Sequence, residues 1–269
     1  MNRFGMVGAF LKRDFLIEIS YRTAFVLQIL SIVSSVLMFY FIAKLVNAPP
    51  STPGLDGLPY WPWLLVNLAF FTYLTSAIMS FAGKIRTEQT TGTLEAMLTT
   101  PTPLSTIVLG SGVWDFLVTS VRAIVYLLIG WLFFEVGIRP EGLLPGLLVL
   151  VLTVLAFSGI GILSAAFILY MKRGDPITYL VSTGSALLGG VFFPPEMMPE
   201  FLQWASRALP ITYGLRALRR ALLHGASVAD LLPEIQALVL FSLFLLPLGI
   251  IGFRIAVRRA RIEGSLIQY

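Results

Sequence analysis

Asp115 and Arg122 carry opposite charges seven residues apart inside the largely apolar run 113–136. Seven residues make two helical turns, so the two side chains share one helix face. Charges within a membrane-spanning helix normally face protein or water and pair with something. One reading is a polar lining or relay in a transport path. The other is an interface-level Asp115 and a structurally paired Arg122, and the residues alone favour it. Little else in the chain can do chemistry. Cysteine is absent and His224 is the only histidine, which excludes disulfides, thiolate or His-cluster metal sites and a thiol nucleophile. The only Gly-Lys pair, Gly83-Lys84, is followed by Ile85, so the chain has no phosphate-cradling G-x-x-x-x-G-K-[ST] loop.

The elements that must hold these residues are membrane helices. Of the 269 residues, 57% are hydrophobic and 12% charged, and mean hydropathy is +0.86. Soluble domains carry roughly 25% charged residues, so this perimeter must meet lipid. A span needs about 20 mostly apolar residues. Six segments qualify: 23–46, 61–82, 113–136, 143–171, the short Gly/Ser/Thr-rich 176–193, and 231–253. Twelve Lys and Arg fall in 1–22, 83–106, 172–175 and the C-terminal stretch, against five in the loops of the other side. The excess predicts a cytoplasmic location for both termini. Tyr60, Trp61, Trp63 and Trp131 read as outer aromatic anchors and Trp114 as an inner one. Lys44 and Glu135 lie near outer ends, where they snorkel.

Several segments cannot span. Residues 1–22 read as an N-terminal interfacial helix, with Phe4, Val7, Phe10, Leu11 and Phe15 on one side and Lys12 and Arg13 on the other. The alternative is a cytoplasmic extension of span one. In the loop 83–106, Thr93 is an N-cap, Glu95 sits in the first turn and Pro101 ends a two-turn helix whose apolar knobs are Leu94, Met97 and Leu98. So short a helix needs a partner to pack on. Residues 194–229 predict one short helix stopped near Pro210 and a second reaching His224, with Gly225 as its stop. In the second, Leu215, Leu218 and Leu222 share a face beside a basic ridge of Arg216, Arg219 and Arg220. Both read as re-entrant or interfacial helices with lipid-facing sides. Gly184, Ser185, Ala186, Gly189 and Gly190 make small-xxx-small spacings, suited to a subunit interface or to packing within the chain. Phe192 and Phe193 read as an outer gate or as lipid-facing rings.

Residues 88–101, Glu-Gln-Thr-Thr-Gly-Thr-Leu-Glu-Ala-Met-Leu-Thr-Thr-Pro, resemble the loop signature of ABC-2-type transporter permeases, the membrane subunits of bacterial ATP-binding-cassette exporters. Residues 189–199 and 209–222 resemble the family's second signature, between spans five and six. The likeness covers nearly the whole chain. It implies an all-α membrane domain over 1–269 with six spans, an N-terminal interfacial helix, a cytoplasmic coupling helix and outer re-entrant helices. It also implies a homodimer in the bacterial inner membrane, bound to two nucleotide-binding subunits. ATP and Mg would sit on those partners and no cofactor on this chain. The coupling role then falls on Glu88, Gly92, Thr93, Leu94, Glu95 and Met97, and a second contact on Lys172, Arg173 and Asp175.

The leading expectation is therefore a non-catalytic exporter permease, with lipid around it and no nucleic acid as partner. Few exposed-ring candidates for sugar stacking are present, which favours a drug or lipid-like amphiphile over a polysaccharide or lipid-linked glycan. A secondary transporter would have only Asp115 and Arg122 for an ion site. An intramembrane enzyme would have almost no residues to use.

Overall fold

The computed structural model describes Leu16 and residues 22–90, 104–171 and 175–262. These form eight α-helices: α1 (Arg22–Val46), α2 (Tyr60–Thr90), α3 (Leu104–Phe134), α4 (Leu143–Met171), α5 (Pro176–Leu188), α6 (Glu200–Arg207), α7 (Pro210–His224) and α8 (Leu232–Ile262). Single 3-10 turns lie at Pro140–Gly142 and Pro195–Met197, and no strand occurs among the described residues. Five helices are long and apolar enough to cross a bilayer, over Val26–Val46, Tyr60–Ser80, Trp114–Phe134, Pro140–Met171 and Leu232–Arg259.

The sixth expected span differs. Helix α5 has 13 residues, about 20 Å at the α-helical rise, against a hydrocarbon core of about 30 Å. It stops because Gly189 follows as C-cap and Gly190 turns to φ 79, a conformation open to glycine. Helix α2 differs in the other direction. The sequence reading ends span two at Ala82, yet the helix continues to Thr90. The Lys, Arg, Glu and Gln residues after Gly83 are good helix formers, and one glycine costs only about 1 kcal/mol. Helix α8 likewise runs past Phe253 through its arginines to Ile262.

Helix α4 is the centre of the bundle. Its buried residues include Val149, Ala156, Phe157, Ile160 and Leu169, and it packs on α8, α2 and α7. Close approach depends on glycine. A Cβ on Gly159 would lie 2.5 Å from the Leu245 carbonyl carbon, one on Gly249 2.4 Å from the Gly159 oxygen, and one on Gly161 2.8 Å from the Ile78 oxygen. Small residues therefore bring α4 against α8 on one side and α2 on the other, the packing device of membrane helices. Gly184 of the α5 small-residue stripe meets nothing within 4 Å. Leu30, Leu37 and Phe41 of α1, Leu132 of α3, and Leu243 and Phe244 of α8 are exposed, as a lipid-facing perimeter requires.

One end of the bundle gathers the start of α2, the ends of α1 and α3, and helices α6 and α7. There Tyr40, Trp61 and Phe134 pack with ring centroids 4.4–5.4 Å apart, and Lys44 Nζ lies 5.1 Å from the Tyr40 ring centre. The Arg139 N–H donates to the Leu222 carbonyl at 2.8 Å. Gly225, at φ 70, closes α7. Two expectations for α7 are corrected here. Leu215, Leu218 and Leu222 are buried in the protein core, not turned to lipid. Nor do the arginines form a free ridge: Arg216 pairs with Glu196 at 2.6 Å and Arg220 with Glu234 at 2.9 Å, and Arg219 is buried. The ridge dissolves because each guanidinium finds an acceptor on a neighbouring segment. Helix α6 does expose Phe201 and Trp204. After α7, Ser227 bonds the Asp230 carboxylate through both its N–H and its hydroxyl and holds it below its usual pKa.

Candidate functional site

Helix α2 runs past three groups of polar residues. At the α6–α7 end, Arg219 is buried and donates from an Nη to the Asn67 side-chain oxygen at 2.9 Å. Its guanidinium carbon lies 4.8 Å from the Trp63 ring centre. Asn67 in turn donates to the carbonyls of Gly190 and Val191 at 3.0 and 3.2 Å. Tyr60 donates to the Phe192 carbonyl at 2.5 Å, and the Trp63 indole to the Gly54 carbonyl at 3.0 Å. Burial lowers the Arg219 pKa to about 10, against the attraction of Asp56 and Glu196. One polar chain thus ties α7, α2, the turn after α5 and the loop after α1. Phe192 is half-buried and stacks on Phe39 at 5.7 Å, whereas Phe193 is exposed. Neighbours at the same helical end thus differ: one ring faces protein and the other faces outward.

Midway along α2 lies a cavity of about 580 Å³ between α2 and α3. Thr72, Thr75, Ser76 and Ser80 line it from α2, and Asp115, Thr119 and Arg122 from α3. Ser80 donates to Asp115 Oδ2 at 2.7 Å, and Thr119 to the Ser76 hydroxyl at 3.0 Å. No ion pair between Asp115 and Arg122 occurs among the described residues, and the buried Arg122 Nε has no hydrogen-bond partner. Both charges line this one cavity without touching each other. The hydroxyls recur three and four residues apart along α2, and this stripe was the available sequence signal. Asn67, a lone amide in a span, was the signal for the other group.

The third group is the α2–α3 connection. Glu88 lies in the last turn of α2. Gly92, Thr93, Leu94, Glu95 and Met97, with Lys172 and Arg173, lie outside the described residues, as does most of the N-terminal segment 1–21. Asp175 is the N-cap of α5: its carboxylate accepts the Thr178 N–H at 3.0 Å and the Ser164 hydroxyl of α4. Its placement is thus explained by capping and by docking α5 on α4. Among the described residues, no cluster of His, Cys, Asp and Glu could hold a metal ion.

Membrane-length apolar helices around a cavity that holds both charges of α3 define a multi-span membrane protein. Residues 7–223 match the ABC-2 type transporter family, and the chain belongs to that family of ABC transporter permeases. It is 29% identical over 197 residues to nodulation protein J of Rhizobium leguminosarum bv. trifolii, covering 69% of this chain and 70% of that one. It is 24% identical over 213 residues to the inner membrane transport permease YadH of Escherichia coli K12, covering 78% and 80%. Membrane subunits of this family are generally non-catalytic, and membership implies association with an ATP-binding subunit.

Proposed function

We propose that this chain is the permease of an exporter that moves a hydrophobic or amphiphilic compound, drug or lipid-like, out of the cytoplasm or inner leaflet. ATP hydrolysis on a separate subunit drives it. The family match over 7–223, with the motif at 88–101 inside it, carries the reading. Two copies of the chain bind two ATPase subunits in the inner membrane, and Mg and ATP reside on those subunits. The α2–α3 cavity, about 580 Å³ and lined by hydroxyls and by both charges of α3, is of a size to take the polar head of an amphiphile.

Six crossings fit this reading. The Asp175 cap docks on Ser164, already inside α4, and Phe192 meets Tyr60 at the start of α2. The stretch 175–192 thus runs from beside Ser164, within the bundle, toward the end where α2 begins, which supports a sixth crossing although its helix is short. Both termini then share the cytoplasmic side, and 194–229 lies outside as re-entrant helices.

The coupling loop supplies the test. Glu95→Lys reverses the charge at the proposed helix N-terminus, a local effect of about 0.3–1 kcal/mol, too small to unfold the spans. The expected result is normal membrane insertion, weak recovery of the ATPase subunit and loss of substrate-stimulated ATP hydrolysis. Unchanged recovery and unchanged stimulation refute the coupling role.

A further inference from the structure

The α2–α3 cavity is ordered by charge along its depth. Helix α2 becomes charged from Lys84, one turn beyond Ser80, so Asp115, bonded to Ser80, stands near the bilayer edge. Arg122 stands two turns deeper, about 10 Å along the axis. Asp115 Oδ2 takes the Ser80 hydroxyl, which leaves Oδ1 available. Ser76 accepts from Thr119, which leaves its own proton to donate. Arg122 Nε is buried without a partner. A cation held inside a span without a protein anion needs another counter-charge, and the cavity, at about 580 Å³, falls in the size range of small-molecule sites, roughly 300–1,000 Å³.

We propose that this cavity seats the zwitterionic headgroup of an amphiphile, with its phosphate on Arg122 and Ser76 and its amine on Asp115. The order of charges carries the argument. In an aminoalkyl phosphate head the anion adjoins the tail and the amine is outermost. The cavity has its cation deep and its anion nearer the bilayer edge. A purely anionic head would meet Asp115, and a purely cationic one Arg122. The inference rests on the amphiphile-export reading, and a bilayer phospholipid and an exported compound would present the same head.

The chain has no cysteine, so Thr72→Cys places a single thiol in the cavity wall; Thr72 bonds only within its own helix, to the Ala69 carbonyl. The full-length protein in dodecyl maltoside is labelled with a small water-soluble thiol reagent. Dodecylphosphoethanolamine is expected to slow labelling. Dodecyl phosphate should do so weakly, and inorganic phosphate with ethanolamine, or additional dodecyl maltoside, not at all. Arg122→Gln removes a charge-assisted contact and should raise the half-protecting concentration about tenfold or more, with Arg122→Lys between it and the parent. Asp115→Asn should reverse the order of the two phosphates. Equal protection by dodecyl maltoside, protection by inorganic phosphate, or no change in both Arg122 variants overturns the site. In phosphatidylethanolamine vesicles with the ATPase subunit, protection that disappears on ATP turnover identifies the occupant as cargo. Protection that persists through turnover keeps the site, assigns it to resident lipid and removes this cavity's support for amphiphile export.

Discussion

Replacing Arg219 tests whether the buried polar chain holds α7 and the turn after α5 to α2. Its hydrogen bond to Asn67, at 2.9 Å, is of the charged kind, worth about 1.5–3 kcal/mol. Its stacking on Trp63, at 4.8 Å, contributes about 2 kcal/mol in so desolvated a place. Against this, burial lowers the pKa to about 10, and taking a charge out of water costs roughly several kcal/mol. The charge itself is therefore nearly neutral in net stability, and the cost of losing it depends on what replaces it. Arg219→Ala leaves both a cavity and an unsatisfied Asn67 oxygen, and is expected to cost about 3 kcal/mol. Arg219→Met fills the volume and leaves only the unsatisfied oxygen, at about 1–2 kcal/mol. Reversible unfolding in mixed dodecyl maltoside–dodecyl sulfate micelles measures both. A double-mutant cycle with Asn67→Ala should give a coupling of about 1.5–3 kcal/mol. A coupling under about 0.5 kcal/mol, the scale of additivity between distant sites, would refute the assigned bond, and equal losses for Ala and Met would refute the volume argument.

The glycine contacts of α4 predict opposite outcomes at two sites. Gly249→Val drives a side chain into the Gly159 carbonyl and should lower stability by about 1–3 kcal/mol, whereas Gly184→Ala, with open space around it, should be neutral or stabilising by up to about 1 kcal/mol; the same micelle titration reads both. For sidedness, a membrane-impermeant thiol probe on intact cells should label Ser51→Cys and Ser227→Cys, both exposed, and should not label Ser265→Cys. Labelling of the last contradicts cytoplasmic termini.

How legible each element was depended on whether its signal was local. The bounds of α4, 143–171, could be read directly, because an uncharged apolar run has one solution in a bilayer. The Gly225 stop of α7 is equally local. The length of α2 is not legible at Gly83, because the end of hydrophobicity there is not the end of the helix. A helix leaves the membrane without stopping when its next residues are good helix formers. The burial of Arg219 could not be read from spacing: Arg216, Arg219 and Arg220 look alike along the chain, and only the fold brings Asn67 and Trp63 to the middle one. Asp115 and Arg122 are legible as a pair, but the Ser80 that bonds Asp115 and the hydroxyls that line the cavity come from another helix. The small-residue stripe of α5 drew attention away from Gly159, Gly161 and Gly249, which lie in runs so apolar that their glycines pass for composition.

Helix α2 is the element all three polar groups share. It is one uninterrupted helix of 31 residues, about 46 Å at the helical rise. Its first turns carry Trp63, bonded to the loop after α1, and Asn67, bonded to α7 and the turn after α5. Its middle carries the hydroxyls of the charged cavity, and its last turn carries Glu88, at the head of the segment assigned to the ATPase contact. Its packing on α4 is close because Gly161 lets the two backbones meet. A rigid helix in such contact cannot tilt at one end alone. A displacement at Glu88 must either move the cavity wall and strain the Asn67–Arg219 bond together, or be absorbed by sliding on α4. Since a Cβ at Gly161 would meet the backbone of α2 at 2.8 Å, the α2–α4 surface leaves little room to absorb it. On the proposed coupling role, the physical route from an ATPase stroke to the α6–α7 end therefore runs through α2, past the cavity.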